Sequence, residues 1–298
     1  MTERGGIVAI PEQQLKDWTA QGSIAGSARA YESVQQALAK SGLPESHKIE
    51  TFLQGSFRNS TNVERDSDVD VVVNRHGSFF PNVSSLPAGE AERVRALPDS
   101  AYKYQQFRQD VRDGLIDYYG SSRVIDRNKC VTIVDAGGTG ISADVVPAFD
   151  FRYYYQDSQH WHLGIAFLTQ RDNERIIGFP KQHYDNGVRK HGETNSEFKP
   201  TVRLFKNAAS EMVDRGLLDP SVAPSYFIEC LIYNVPASRF GASTWEGRVV
   251  DVYNWLESAD LSEFVCVNGI LYLFGPKQWT QDNAQQLLAQ FKTLWNTW

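Results

Sequence analysis

Cysteine is scarce in this chain, with three among 298 residues, at Cys130, Cys230 and Cys266. Three well-separated thiols make neither a disulfide framework nor a CxxC metal pair, which points to a reducing compartment. Long hydrophobic runs are missing as well. The most apolar stretches, Val69 to Val73 and Gly269 to Phe274, fall far short of the ~20 residues a membrane span needs. The opening MTERGGIVAIPEQQLKDW holds no apolar stretch fit for a signal peptide. A soluble, cytoplasmic protein with no membrane partner is expected. A basic surplus is absent too: 30 Lys and Arg stand against 36 Asp and Glu, for a formal charge of −6. Coating duplex DNA takes Lys and Arg to neutralise phosphates, so duplex DNA is not expected as a partner. A small anion needs only a local basic pocket. What the chain does have is core material, 41% hydrophobic and 12% aromatic. Its length predicts two domains at roughly 100–200 residues each.

Apolar spacing predicts a helix from about Ser27 to Lys40, with Ala30, Val34, Ala37 and Leu38 on one stripe and Ser41-Gly42 as the stop. Two strands follow, KIETFLQGS and DVDVVV. Residues 78–99, with Pro81, Pro87 and Pro98, read as an irregular excursion, and a helix is expected near Tyr102 to Tyr118. CVTIV and ISADVVPAF are β-rich runs joined by Asp135-Ala136-Gly137-Gly138-Thr139-Gly140, which is hairpin chemistry. Beyond about Tyr155 the segments TVRLFKNAASEMVDR, PSYFIECLIYNV, TWEGRVVDVYNWLES and TQDNAQQLLAQFKTLW read as helices. An α+β chain is predicted, with residues 1–160 as a mixed-sheet core carrying an N-terminal helix and residues 161–298 as a helical lobe.

The most informative stretch runs from Gln54-Gly55-Ser56 to Asp66-Ser67-Asp68-Val69-Asp70-Val71-Val72-Val73. Side chains alternate faces along a strand, so Asp68 and Asp70 project together while the odd-numbered valines face the other way. Two neighbouring carboxylates repel and resist desolvation unless a cation lies between them. Magnesium, a hard ion taking carboxylate and phosphate oxygens, fits. A calcium loop starting at Asp66 does not, because its sixth position is Val71 rather than Gly and its twelfth Gly77 rather than Glu. Asp144 is the lone acid on an apolar strand. By itself it reads as well as a structural ion-pair member as a catalytic group. If its strand lies beside DVDVVV, three carboxylates converge, as two-metal phosphoryl transfer requires.

A Gly-Ser pair, eleven residues, Asp-x-Asp entering a Val-rich strand and a later lone Asp resemble the polymerase-β-like nucleotidyltransferase superfamily. Within it, LQGSFRNSTN, DSDVDVVV, FPKQHYDNG, FKPTVRLFKNA and PSYFIECLIYNVP resemble the bacterial cyclic GMP-AMP synthase/DncV-like nucleotidyltransferases, or CD-NTases. The resemblance runs from about Pro11 to the C-terminus. It implies a polymerase-β-like core followed by a helical lobe that completes the nucleotide pocket. The implied enzyme joins nucleoside triphosphates into a cyclic oligonucleotide, most simply a cyclic dinucleotide, and releases pyrophosphate. Asp68, Asp70 and Asp144 would be catalytic and would bind Mg²⁺, or Mn²⁺ in its place.

The resemblance also assigns nucleotide contacts. Gln54, Gly55 and Ser56 would meet the triphosphate; glycine lets the backbone approach an anion closely, although Gly-Ser alone is an ordinary turn. Lys206 would meet it from a helix on which it shares a polar face with Arg203, an arrangement that is ordinarily just solvated. Ser225, at a helix start that favours anions, would reach the phosphates. Tyr226 would stack on a base, where a tyrosine opening an apolar helix is otherwise a core residue. FPKQHYDNG reads as a loop lining the pocket, with His183 in polar packing rather than acting as a base. Gly178 is a base-pocket position at which some relatives carry an amide suited to a pyrimidine; glycine weakens a uracil product without establishing a purine one.

Gly137-Gly138-Thr139-Gly140 lacks the Lys-Ser/Thr of a P-loop. His160-Trp161-His162 has no nearby Cys or His cluster, so zinc is not expected. Bacterial anti-phage (CBASS) signalling is the implied setting, with a separate effector activated in trans by the product. The alternative is a nucleotidyltransferase acting on an RNA 3′ end, a protein or a small molecule, but the basic track of an RNA-tailing enzyme is not evident. A non-enzymatic nucleotide sensor is disfavoured because all three carboxylates are present.

Overall fold

Val69, Val71 and Val73 alternate with Asp68, Asp70 and Val72, and this period of two makes the segment a strand with one face turned to a helical layer. The computed structural model describes residues 9–43, 48–64, 68–98, 100–138, 140–276 and 278–298. Asp66 and Ser67, just before the Asp-x-Asp strand, and Thr139 of the glycine-rich turn lie outside them. The described residues fall into two compact units. One comprises Ser23–Phe57 and Ser67–Pro180; the other comprises Met1–Gly22, Arg58–Asp66 and Lys181–Trp298.

The first unit is built on a mixed sheet. β1 (Ile49–Leu53) runs antiparallel to β2 (Asp68–Asn82), and β2 runs parallel to β5 (Ser142–Tyr154). The start of β5 pairs with β4 (Val131–Ile133), itself paired with β3 (Val124–Asp126). The end of β5 pairs with β6 (Trp161–Leu168), and β6 with β7 (Arg175–Gly178). Helices α2 (Ala25–Lys40) and α5 (Tyr104–Tyr119) cover one face. Their stripes, Ala30-Val34-Ala37-Leu38 and Phe107-Val111-Leu115, pack on Val69, Val71, Val73, Ala143 and Val145. The two smaller helices here are α3 (Gly55–Asn59), of which Arg58 and Asn59 are counted with the other unit, and α4 (Ala88–Arg95).

The second unit is helical. Its core joins α1 (Glu12–Trp18) to α7 (Phe198–Asp214), α8 (Ser225–Asn234), α9 (Trp245–Ser258) and α10 (Gln281–Asn296). Before them comes α6 (Pro180–Glu193). No helix among the described residues is long and apolar enough to cross a membrane.

Several elements differ from expectation. β2 continues to Asn82 through the supposedly irregular stretch. Pairing with β1 ends at Arg75, so beyond it that edge is open and Pro81 forfeits no ladder bond there. A register shift between Arg75 and Phe79 takes up His76, Gly77 and Ser78 as an irregularity in β2. α4 follows Pro87 and buries only Ala91 and Val94, too small a stripe to stand out in sequence. FPKQHYDNG is not a loop: Pro180 takes the first turn of α6, where its missing N–H costs nothing, and His183 and Gly187 are buried four apart. A cut at 160/161 would fall between β5 and β6, which pair antiparallel, whereas the helical unit includes Met1–Gly22 and Arg58–Asp66 and resumes only at Lys181.

Candidate active site

In the sheet unit, the parallel register of β2 and β5 sets Asp70 directly opposite Asp144 and Asp68 opposite Ser142. Adjacent strands lie about 4.8 Å apart, so the Asp70 and Asp144 backbones are near neighbours. Asp68 is exposed, and Asp70 and Asp144 are half-buried. The condition set by the sequence, that the Asp144 strand lie beside DVDVVV, is met. Among the described residues no three acidic, histidine or cysteine side chains form a ready-made cage for an ion. The register aligns the backbones, while the carboxylates themselves repel one another.

Asp144 is positioned across the next ladder. Thr132 is its register partner on β4, and Thr132 Oγ1 donates to Asp144 Oδ1 at 2.6 Å. That donation uses the only hydroxyl proton, so Cys130, with Sγ 3.7 Å from Thr132 Oγ1, is the donor in that contact. Burial, followed by the charge of Asp144, pushes the Cys130 thiol up to about 12, which keeps its proton in place. Asp144 forms no ion pair among the described residues.

Gln54-Gly55-Ser56 connects β1 to α3. Gln54 N–H donates to Asp70 O at 3.0 Å, tying this turn to the Asp-x-Asp strand. Gly55 has φ +67°, and a Cβ there would stand 2.2 Å from Asp70 Oδ2. A side chain here would strain the backbone and force the Asp70 carboxylate to shift. Ser56 is the second residue of α3 rather than sitting in an open turn. Gly178 ends β7 opposite Ile165, and a Cβ on it would meet only Ile165 Cγ1, at an ordinary 3.8 Å. The position has room for a side chain.

In the helical unit, Lys206 is 3% exposed rather than solvated, and its ammonium donates to Thr61 O at 2.9 Å. Arg203 is half-buried and donates to Thr19 O and Ser60 O, both at 2.6 Å. Lys206 and Ser225 line one cavity of about 230 Å³ together with Ser210 and Pro224. Tyr226 is half-buried, with ring centroids 5.2 Å from His183 and 6.0 Å from Trp279, and burial pushes its phenol well above the usual range.

A further set of residues in this unit escaped the sequence. Glu229, 3% exposed on α8, accepts from Thr61 Oγ1 at 3.0 Å and lies 2.8 Å from His183 Nε2. Burial pulls its carboxyl upward, but the charges of His183 and Lys206 and the Thr61 bond hold it below the ordinary range. Lys199, half-buried on α7, has its pKa lowered by burial and by Arg203 and Arg58. Arg58 stacks 3.7 Å over the Tyr184 ring. A local group of cations therefore exists on an acidic chain. The visible signal was a lone Glu inside the apolar run YFIECLIY; for Thr132, it was a lone threonine on a Val/Ile strand.

Known proteins resemble this chain in sequence and fold. The profile of the family described as "cGAS/DncV-like nucleotidyltransferase C-terminal helical domain" matches residues 185–296. The chain is 38% identical over 294 residues to a cyclic UMP-AMP synthase of Rhodothermus marinus, covering 97% of this chain and 99% of that one. The chain belongs to the cGAS/DncV-like nucleotidyltransferase family. This nucleotidyltransferase is also 31% identical to a cyclic dipurine nucleotide synthase of Elizabethkingia meningoseptica, across 96% of its length and 97% of the relative's. Its fold matches the solved structure of Rhodothermus marinus CdnE c-UMP-AMP synthase with Apcpp and Upnpp, with a TM-score of 0.87, 39% identity and 97% of each chain covered. The α+β fold class with a helical C-terminal region, read from sequence, is the observed one.

Proposed function

We propose that this nucleotidyltransferase joins two nucleoside triphosphates into a cyclic dinucleotide second messenger and releases pyrophosphate at each bond formed. The observation that carries this is the register of Asp70 against Asp144, with Asp68 two residues before it on the same strand. Relatives named as a cyclic UMP-AMP synthase and a cyclic dipurine nucleotide synthase support the product class.

The donor set is three carboxylates and suits a hard divalent cation. Mg²⁺, or Mn²⁺ in its place, held by Asp68, Asp70 and Asp144 would lower the pKa of the attacking hydroxyl and stabilise charge on the leaving pyrophosphate. Thr132 orients Asp144 for that role, and Gly55 keeps the space beside Asp70 Oδ2 clear. Gln54, Gly55 and Ser56 contact the triphosphate through close backbone approach. On the helical unit, Lys206 and Ser225 supply a cation and a helix-start hydroxyl to one cavity, and Lys199 adds positive potential on α7. Tyr226 offers a ring for base stacking. The biological setting is bacterial anti-phage (CBASS) signalling, in which the product activates a separate effector and duplex DNA is not the trigger.

The test is incubation with Mg²⁺ or Mn²⁺ and all four NTPs, labelled one at a time, followed by phosphatase. A phosphatase-resistant, nuclease-sensitive product formed from NTPs alone is expected. Transfer onto added RNA or protein, without such a product, would overturn the proposal.

A further inference from the structure

At the far end of β5 from Asp144 lies a second cavity, of about 360 Å³, lined by Arg93, Leu97, Arg152, Tyr154, Ser158 and Trp161 among others. Ten residues of strand separate Asp144 from Tyr154, or about 33 Å at the usual rise. This cavity is therefore remote from the three carboxylates. It lies within the sheet unit, between α4 and the β5–β6 hairpin.

Two of its groups are unspent. The Arg152 guanidinium lies 3.8 Å over the Phe79 ring and 4.7 Å from the Trp161 ring, but it makes no ion pair or hydrogen bond among the described residues. Aromatic stacking leaves the edge N–H donors of a guanidinium unsatisfied, and those donors match a carboxylate or phosphate. Tyr154 is 1% exposed, yet its hydroxyl has no hydrogen-bond partner among the described residues. The hydroxyl is not sealed from solvent, so it is open to a partner that enters the cavity. Arg93, by contrast, is committed to Glu90 through Nη1 and Oε1 at 2.5 Å. One uncommitted positive charge therefore remains. Trp161, Val94 and Leu97 supply apolar walls, and the volume lies within the range of small-molecule sites, about 300–1,000 Å³.

We propose that this cavity binds a flat aromatic molecule carrying one anionic group. The anion would sit against the Arg152 guanidinium edge and the Tyr154 hydroxyl, with the ring against Trp161 and Leu97. Two sources share this chemistry, a nucleoside monophosphate and an aromatic carboxylate, and AMP and indole-3-acetate serve as probes of each. Calorimetric titration is run on the full chain without divalent metal, in the Asp70→Asn background as well as the unaltered one.

At least one probe is expected to saturate with one-site behaviour and equal affinity in both backgrounds, and the probe that does so identifies the source. Arg152→Gln should weaken it about tenfold or more, as expected for losing a charged hydrogen bond. Tyr154→Phe keeps the ring packing and should weaken it several-fold with an unchanged melting temperature, so the proposal stays testable if Arg152→Gln folds poorly. Saturation by neither probe in the millimolar range, or affinity unchanged in Tyr154→Phe and in a folded Arg152→Gln, would overturn it. Because the titrations contain no metal and no second nucleotide, failure here is distinct from failure of cyclic dinucleotide synthesis.

Discussion

Thr132→Val isolates the support beneath Asp144. Valine matches threonine in shape and strand preference, so β4 keeps its pairing with β5, and the change deletes one donor, the Oγ1–H held 2.6 Å from Asp144 Oδ1. A hydrogen bond to a charged acceptor contributes about 1.5–3 kcal/mol, and removing the outer partner of a metal-binding carboxylate typically costs about 10–100-fold in metal affinity or activity. The Cys130 thiol, which keeps its proton at neutral pH, also loses its acceptor, a smaller effect for a weak S–H donor. The assay is product formation titrated with Mg²⁺, run beside a thermal melt. Half-maximal activity should move to about tenfold or more higher Mg²⁺, with little change in melting temperature, and Thr132→Ser should restore most of the loss. Both variants alter the same strand, so a purely structural role would not separate them. Unchanged Mg²⁺ dependence and turnover in Thr132→Val would refute the orienting role, and with it the assignment of Asp144 as a metal-binding group.

Asp68→Asn combined with Asp70→Asn should abolish product while the melting temperature and circular dichroism hold; residual turnover at the unaltered rate would refute the site. Gly55→Ala forces a non-glycine residue to φ +67° and sets a methyl 2.2 Å from Asp70 Oδ2, so a stability loss of about 1–2 kcal/mol should accompany a much larger loss of turnover. Gly178→Asn has room for its side chain and should raise incorporation of labelled UTP relative to the other nucleotides; an unchanged base profile would remove Gly178 from the base pocket. Glu229 is held below its ordinary pKa of 4.5, so its ionisation stabilises the fold above that value and the contribution fades as pH falls through the depressed one. Glu229→Gln should lower stability near neutral pH by about 3 kcal/mol, since Lys206 and His183 lose their buried carboxylate, and should flatten the acid limb of the stability profile. Parallel acid limbs in urea melts would refute the network.

Those positions differ in how readily the sequence disclosed them. Asp68 and Asp70 sit two residues apart and Gly55 lies in its own short motif, so strand alternation and glycine's backbone freedom each act locally. Asp144 needed one further fact, which strand its own lies beside. β2 and β5 are parallel and more than seventy residues apart in the chain, and pairing of that kind depends on the crossover and the whole sheet rather than on any local pattern. The misread segments failed for local reasons. Pro81 reads as a strand breaker unless its edge is known to be open, and Asp185-Asn186-Gly187 reads as a turn although the packed His183 side of α6 keeps it helical.

Segment 58–64 shows why a linear division of this chain obscures its chemistry. The peptide between the Gly-Ser turn and the Asp-x-Asp strand belongs to the helical unit. There, Ser60 O accepts from Arg203, Thr61 O accepts from Lys206, and Thr61 Oγ1 donates to Glu229. Each of these bonds takes a side chain from α7 or α8 and spends it on the backbone or hydroxyl of a connector that is covalently continuous with both acidic-site motifs. Lys206 is held by Thr61 O, and under the proposed function it must also meet an incoming phosphate. A three-donor ammonium can meet both, whereas an arginine with its planar fork of donors would have to give up one geometry for the other. Lys206→Arg, which conserves charge, should therefore impair turnover far more than a purely electrostatic role would allow. A variant with unaltered KM for NTPs and unaltered kcat would show that charge alone, not this shared bonding, is what the position supplies.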